Sequence, residues 1–262
     1  MSSPPIGLIA GSGRLPLLFA EHAAKAGRTV VAVAHEGETD ASLPAAAWVK
    51  LGQLGRIVEV LRSAGVSEAV FCGGIKKPRL FDVRPDWLGL KALASMRSFG
   101  DDAALRAIAA ALEEEGVSIV SPLPLLPDLL APRGALTRRE FSAQQREDAA
   151  FGLSLVRALG ALDVGQTVVV RKGVALAVEA AEGTDACIAR GGALARGAVV
   201  VKARKPQQDD RFDVPAVGPR TVAALAAAGC AALAVEAEKS LVLDRAELVA
   251  AAERAGIAVE GI

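Results

Sequence analysis

The sequence predicts an α/β protein of two domains, on three observations. The chain of 262 residues is long enough for two domains of ordinary size. In the first half, short apolar runs alternate with helical segments, which favours a parallel sheet. Four prolines between Pro122 and Pro132 then interrupt the pattern. We expect an N-terminal Rossmann-like domain over residues 1–131 and a C-terminal α/β domain over 132–262, joined by this Pro-rich linker.

The composition argues against several classes of partner and site. Thirty basic and thirty acidic residues cancel, and only 3% of residues are aromatic, so nucleic acid is not expected as a partner. Three scattered cysteines and two histidines offer neither a disulfide framework nor a zinc site. The N-terminus lacks a signal peptide, and no apolar run approaches the ~20 residues of a membrane span. We therefore expect a soluble, cytosolic protein.

A glycine loop near the N-terminus is the first candidate site. The predicted elements around it are a strand at 6–10, a helix at 17–26 and a strand at 29–34. Gly11 and Gly13 would expose backbone N–H groups and a helix N-terminus to an anion. Pro16 stands where the dinucleotide fingerprint has its third glycine, so the pattern favours phosphate over NAD. A tight turn that simply needs glycine explains the loop equally well.

A second glycine loop follows a later strand of the same domain. The remaining predicted elements are strands at 48–51, 68–72 and 117–120, and helices at 56–64, 87–96 and 101–115. Gly73 and Gly74 come directly after the strand at 68–72, with Lys76 close behind. Because parallel strands end at the same edge of a sheet, we expect both glycine loops to border one ligand crevice.

The prolines of the linker predict an extended connection, and β and α elements resume after it. The predicted helices are 142–160, 220–228 and 245–255, with a further helix capped by Thr184 or Asp185. The predicted strands are 167–171, 174–179, 198–201, 231–235, 241–243 and 257–259. The first two should form a hairpin about Lys172 and Gly173.

The charged loop at 202–221 is the strongest candidate for chemistry. It mixes the carboxylates Asp209, Asp210 and Asp213 with the cations Lys202, Arg204, Lys205 and Arg211. Carboxylates hold Mg²⁺ and cations meet phosphate, so the loop suits a metal beside an anionic substrate. A solvated turn whose charges pair with one another is the commoner case. Glu179, Glu182 and Asp185 form a second acidic cluster. With no evident His, Cys or Ser nucleophile, we expect metal-assisted attack by water on a phosphate of a nucleotide.

Three stretches carry a resemblance to a known family: residues 7–16, 179–185 and 205–218. Together they resemble the metal-dependent UDP-2,3-diacylglucosamine pyrophosphatases of lipid A biosynthesis. The resemblance covers nearly the whole chain. It implies hydrolysis of UDP-2,3-diacylglucosamine to UMP and 2,3-diacylglucosamine 1-phosphate, by water attacking the α-phosphorus with Mg²⁺ or another hard cation such as Mn²⁺. It also implies two domains closing around the substrate, a homodimer, and peripheral contact with the cytoplasmic face of a Gram-negative inner membrane.

The resemblance also implies roles for individual residues. Asp213 and Asp209 would be catalytic, with Arg211 and Lys205 meeting phosphate, while Asp210 ranks below them. The metal ligands would be Asp213, Asp209 and Asp185. The substrate-binding residues would be Gly11, Ser12, Gly13, Leu15, Gly74, Lys76, Glu182, Gly183, Thr184 and Lys202.

Two other functions remain open from the sequence. An NAD-linked oxidoreductase would rest on Gly11 and Gly13, but the fingerprint is broken at Pro16 and no catalytic His or Tyr is evident. A non-catalytic nucleotide-binding sensor would keep the crevice and would not need Asp213.

Overall fold

A computed structural model describes residues 3–75, 83–96 and 101–262, without the side chains of 101 and 102. The chain divides into two compact units. The first comprises the residues up to Pro127 together with Asp209–Asp213. The second comprises Asp128–Gln208 and Val214–Ile262. The sequence-based division had assigned all of 132–262 to the second domain, so the placement of Asp209–Asp213 differs from it.

The first unit contains a parallel sheet of five strands in the order β3-β2-β1-β4-β5. The strands are β1 (Ile6–Ala10), β2 (Val30–His35), β3 (Ala47–Val49), β4 (Glu68–Cys72) and β5 (Ser118–Ile119). The helices are α1 (Leu15–Lys25), α2 (Leu54–Ser63), α3 (Trp87–Ser95) and α4 (Asp101–Glu114). All five residues of β1 are buried, as expected for a strand covered on both faces.

The strand order of the first unit determines where its loops gather. From β1 the chain proceeds through β2 to β3 on one side, and it later returns to the other side of β1 as β4. The order therefore reverses between β1 and β4. In open α/β sheets, ligands bind beyond the carboxyl ends of the strands at such a reversal.

The second unit contains a mixed sheet of six strands in the order β6-β13-β11-β9-β7-β8 and a separate pair, β10 and β12. The strands are β6 (Gly134–Ala135), β7 (Thr167–Arg171), β8 (Val174–Val178), β9 (Val199–Lys202), β10 (Ala216–Val217), β11 (Ala232–Val235), β12 (Leu241–Val242) and β13 (Ala258–Gly261). The helices are α5 (Ala143–Ala161), α6 (Thr184–Leu194), α7 (Pro219–Ala228) and α8 (Arg245–Ala255).

Strand β9 shows how the second unit is layered. Val200 belongs to the apolar core that also contains residues of α6, α7 and α8. Val199 and Val201 belong to a separate core with residues of α5. Alternate side chains of β9 thus face two helical layers, as strand geometry requires. On this alternation Lys202, the last residue of β9, shares the face of Val200 and lies on the α6 side.

Several details differ from the sequence-based expectations. The proline segment is not extended, since it forms short 3₁₀ turns at Leu123–Leu125 and Pro127–Leu129. Proline is tolerated in a first turn, where its missing N–H is not needed. The N-cap of α6 is Gly183, with φ of 83°, rather than Thr184 or Asp185. The hairpin of β7 and β8 about Lys172 and Gly173 is confirmed. Within the described residues, no helix is both long and apolar enough to cross a bilayer.

Candidate functional site

The two glycine loops of the first unit contact each other at the carboxyl ends of β1 and β4. The backbone N–H of Ser12 donates to the carbonyl of Gly74 at 2.7 Å, and the Ser12 hydroxyl donates to the same oxygen at 2.8 Å. A Cβ atom on Gly11 would lie 2.5 Å from that carbonyl oxygen. Glycine at position 11 is therefore required by the contact between the loops.

The rest of this edge leaves room for a ligand. Gly13 has φ of 90°, and a Cβ built on it would meet nothing within 4 Å. Helix α1 begins two residues later at Leu15, with no acidic residue in its first turn. The positive end of the helix dipole thus lies beside open space, an arrangement that suits an anion. Lys76, also predicted to bind substrate, lies outside the described residues.

His35 and Thr39 stand at the same edge, at the end of β2. A ring nitrogen of His35 and the hydroxyl of Thr39 both hydrogen-bond the carbonyl of Ala10, at 2.9 and 2.6 Å. Burial lowers the pKa of His35. A buried imidazole held against a backbone carbonyl stabilises the end of β1, so the structure gives His35 a structural role.

The Asp209–Asp213 segment is anchored in the first unit by Phe212. The side chain of Phe212 is only 8% exposed and belongs to the apolar core of that unit. Its ring lies 6.3 Å from the ring of Phe71. The guanidinium groups of Arg106 and Arg211 lie over it, 5.3 and 4.8 Å from the centroid, within the range of cation–π attraction.

Asp209 pairs with the same two arginines. Arg211 Nη2 donates to Asp209 Oδ2 at 2.9 Å and Nε donates to Oδ1 at 3.1 Å, a bidentate contact. Arg106 approaches Asp209 Oδ2 at 3.4 Å. The hydrogen bonds from Arg211 lower the pKa of Asp209, and the carboxylate in turn raises the pKa of Arg211. Asp209, predicted to bind a metal, and Arg211, predicted to bind phosphate, therefore form an ion pair with each other.

Asp213 is the exposed carboxylate of this segment. Its neighbours in the chain, Phe212 and Val214, are both buried. The backbone N–H groups of Phe212 and Asp213 donate to the carbonyl of Asp209 at 3.0 and 3.3 Å, which closes a helical turn. The anchored phenylalanine and this turn fix the backbone from which the Asp213 carboxylate projects.

In the second unit, two residues predicted to bind substrate, Lys202 and Thr184, meet Glu179 of the second acidic cluster where β9 ends and α6 begins. Lys202 Nζ donates to the hydroxyl of Thr184 at 2.8 Å, and that hydroxyl donates to Glu179 Oε1 at 2.9 Å. Glu182 pairs with Arg190 at 2.6 Å, and Asp185 approaches Arg220 at 3.5 Å. Hydrogen bonds from its own backbone and from Arg190 lower the pKa of Glu182.

A basic cavity lies at the same edge of this sheet. Its volume is about 470 Å³, and its lining comprises Arg157, Arg204, Lys205, Pro206, Glu236 and Lys239. Lys205 pairs with Asp163 at 2.6 Å. Burial would raise the pKa of Glu236, but hydrogen bonds from Arg157 and Lys239 outweigh it and lower the pKa. Arg157 and Lys239 thus pair with Glu236, and Lys205 pairs with Asp163.

The three predicted metal ligands belong to two different units. Asp209 and Asp213 belong to the first unit, whereas Asp185 belongs to the second. In the described part of the chain, no three His, Cys, Asp or Glu side chains gather about one possible metal position. The Asp209 carboxylate is also engaged by arginine, the opposite of a cation site. Within either unit, the described residues therefore supply no set of three such ligands, and we derive no step through a metal.

Several residues that shape the site were missed by sequence reasoning. Arg106, Glu113 and Phe71 hold the Asp209–Asp213 segment, and Glu113 accepts from Arg211 at 3.3 Å. Arg106 and Glu113 precede that segment by about a hundred residues and Phe71 by about 140, so no local spacing could reveal them. The one local signal was Phe212, a lone aromatic residue within a charged loop.

Comparison with known proteins covers almost the whole chain. Residues 5–129 match the family model of the LpxI N-terminal domain, and residues 132–260 match that of the LpxI C-terminal domain. The chain is also similar to the UDP-2,3-diacylglucosamine pyrophosphatase LpxI of Caulobacter vibrioides. The two are 37% identical over 271 aligned residues, which cover 98% of this chain and 97% of the relative.

Proposed function

Because the chain belongs to the LpxI family, we propose that it is a hydrolase that cleaves UDP-2,3-diacylglucosamine to UMP and 2,3-diacylglucosamine 1-phosphate, a step of lipid A biosynthesis. The observation that carries the proposal is the 37% identity, over 98% of the chain, to a relative that bears this activity in its name. In the proposed reaction, water attacks the α-phosphorus. The bond from that phosphorus to the bridging oxygen breaks, UMP gains the water oxygen, and the lipid phosphate retains the bridging oxygen.

Asp213 is the carboxylate that we assign to orientation of the attacking water. Its exposure, on a backbone fixed by Phe212, supports this role, because a general base must be reachable and held in place. Asp209 is better suited to holding Arg211 than to chemistry, since its two oxygens accept from that guanidinium.

Binding of the nucleotide is assigned to the edge of the Rossmann-like first unit. Gly11, Ser12, Gly13 and Gly74 would border the uridine diphosphate, with Leu15 in the first turn of α1. The backbone N–H groups of Gly11, Ser12 and Gly74 already donate to backbone carbonyls, so Gly13 and the start of α1 would supply the donors. Lys202 is the cation best suited to phosphate in the second unit. Lys205 already pairs with Asp163, and Arg211 pairs with Asp209. Each of these two cations would therefore have to bind its carboxylate and the substrate phosphate at the same time.

We include Mg²⁺, or Mn²⁺ in its place, as a proposed requirement. When bound, such an ion would offset charge on the phosphoryl oxygens. Asp213 is the first ligand that we would test, because its side chain is exposed to solvent. The dependence of turnover on the metal is a separate question from the identity of the substrate, and the same assay answers both.

Contact with a membrane is part of the proposal, because the substrate carries two acyl chains. Helix α3 exposes Trp87, Leu90 and Leu93, with 72%, 57% and 45% of their surfaces accessible. Tryptophan beside leucine on one helical face suits the interface of a bilayer. Sedimentation with anionic phospholipid vesicles should fall when all three are replaced by Ser, and unchanged sedimentation would reject this face. We also propose a homodimer, which light scattering tests directly.

The deciding experiment measures UMP release from UDP-2,3-diacylglucosamine, with Mg²⁺ or excess EDTA, for the native chain, Asp213→Ala and the neighbouring control Asp210→Ala. We expect turnover to disappear in EDTA and to fall about a hundredfold or more in Asp213→Ala, the lower range for loss of a positioned base, and to persist in Asp210→Ala. Equal turnover with EDTA would reject the metal. A folded native chain that releases no UMP would reject the substrate, and NAD or UMP binding would then favour the oxidoreductase or the sensor.

A further inference from the structure

The direction of the hydrogen bonds at the start of α6 can be assigned without ambiguity. An ammonium has only donors, a carboxylate has only acceptors, and a hydroxyl has a single hydrogen. Lys202 Nζ must therefore donate to Thr184, and Thr184 must donate to Glu179. The three side chains form a polarised relay that fixes where the ammonium points. We call Glu179, Thr184 and Lys202 the buried relay.

The burial of this relay is not explained by stability. Glu179 is 8% exposed and Lys202 is 7% exposed. Removing two opposite charges from water costs about as much free energy as their attraction returns, and well-packed apolar side chains serve a core at least as well. A single hydroxyl between the charges also keeps them from direct contact. A buried ionic group of this kind calls for another reason to be present.

Two further observations point to a ligand at this place. Glu179 Oε2 is buried and has no hydrogen-bond partner among the described residues, although such an oxygen normally has one. In the same region of the described chain, no side chain caps the N-terminus of the 11-residue helix α6. The hydroxyl of Thr184, its first residue, is already engaged in the relay. Donors for an oxyanion and an acceptor for a hydroxyl thus lie side by side.

We propose that Glu179 is a positioning residue which, through Thr184, directs the Lys202 ammonium and the N-terminus of α6 at a phosphate oxygen of the substrate. This deepens the function proposed above and rests on it. The ligand class is a phosphate ester with a free hydroxyl, which Glu179 Oε2 can accept from. The nearby acids do not oppose the anion strongly, because Glu182 and Asp185 have arginine partners. The position agrees with the carboxyl end of β9, where an α/β sheet places its ligands.

The test compares the full chain with Glu179→Gln, Thr184→Val and Thr184→Ser. Glu260→Gln is the matched control, because Glu260 is another buried carboxylate of the second unit, which accepts from the Phe141 N–H and from Arg146. Two quantities are measured: kcat and KM for UMP release, and the affinity for inorganic pyrophosphate by calorimetry. The second requires no turnover.

Loss of a hydrogen bond to a charged group should reduce kcat/KM and pyrophosphate affinity about tenfold in Glu179→Gln and Thr184→Val, mainly through KM. Thr184→Ser keeps the hydroxyl and should recover most of this loss, which a purely structural role would not predict. If Glu179→Gln does not fold, the comparison of Thr184→Val, which keeps the shape of threonine without its hydroxyl, with Thr184→Ser decides. Variants that match Glu260→Gln in both measurements overturn the inference. If the native chain releases no UMP but these variants still bind pyrophosphate more weakly than the native chain does, the proposed substrate is rejected and the role of the relay is retained.

Discussion

In the Asp209–Asp213 segment a partly exposed carboxylate faces two arginines, whereas in the 179–185 segment a buried carboxylate faces a threonine hydroxyl and, beyond it, a lysine. The first arrangement has a small desolvation cost, because exposed ion pairs keep most of their hydration, and it stabilises the fold by about 0–1 kcal/mol. The second removes charges from water for little return. The comparison shows that acidic residues in two charged segments have different roles. Asp209 holds Arg211 within its own loop, whereas Glu179, through Thr184, orients the Lys202 ammonium.

The largest expected effect comes from removing one charge of the buried relay. Lys202→Met should lower the free energy of unfolding by about 3–5 kcal/mol, because it leaves the Glu179 carboxylate buried without a counter-charge. The double variant Lys202→Met/Glu179→Leu should recover stability to within about 1 kcal/mol of the native chain. Urea denaturation followed by circular dichroism measures both. A double variant as unstable as the single one would mean that the relay exists to stabilise the fold.

The anchor of the other segment should matter somewhat less. Phe212→Ala should destabilise the protein by about 3 kcal/mol, because it removes a ring from the apolar core. This is the low end of the range for a buried phenylalanine, since 8% of Phe212 remains exposed. Phe151→Ala is the control, since Phe151 on α5 is 40% exposed, and it should change stability by less than about 0.5 kcal/mol. Equal effects of the two substitutions would show that Phe212 is not an anchor. Thermal denaturation at neutral pH is sufficient to compare them.

The smallest effect concerns the Asp209 pair and depends on pH. Asp209→Asn should cost about 1 kcal/mol at neutral pH, an upper value for a partly exposed pair. The folded-state pKa is lowered from the ordinary value of 3.8, chiefly by hydrogen bonds from Arg211. The contribution is therefore present in full above that value and is lost as the pH falls through the lowered one.

The difference in unfolding free energy between the native chain and Asp209→Asn should accordingly shrink on acidification below pH 3.8. Glu59→Gln, which breaks an exposed pair with Arg56 on α2, is the control and should show little difference at any pH. A difference that grows as the pH falls would contradict the assigned direction of the pKa shift.

Much of the fold followed from local pattern. The strands β1, β2 and β4 were evident as apolar runs bounded by glycine, and Lys172-Gly173 identified the hairpin of β7 and β8. These elements are determined by neighbours in the chain, which is why the sequence alone predicts them. The α/β class with two domains of the LpxI family agrees with that prediction.

Other features depend on distant partners, and local pattern could not predict them. Threonine is a common N-cap residue, but the hydroxyl of Thr184 is hydrogen-bonded to Glu179 and Lys202. The N-cap position of α6 is therefore Gly183. Strand β6 is two residues long and exists only because it pairs with β13 at the other end of the unit. Arg106, which contacts Asp209, and Glu113, which contacts Arg211, lie on α4, about a hundred residues earlier.

The course of the chain also limits how this protein can be taken apart. It passes from one unit to the other three times, after Pro127, after Gln208 and after Asp213. A gene fragment that ends at residue 127 would encode a first unit without Phe212, leaving Phe71 and Arg106 without the ring that they contact. Neither unit can therefore be inherited, exchanged or produced whole by a single cut, although the two family models meet at almost the same place.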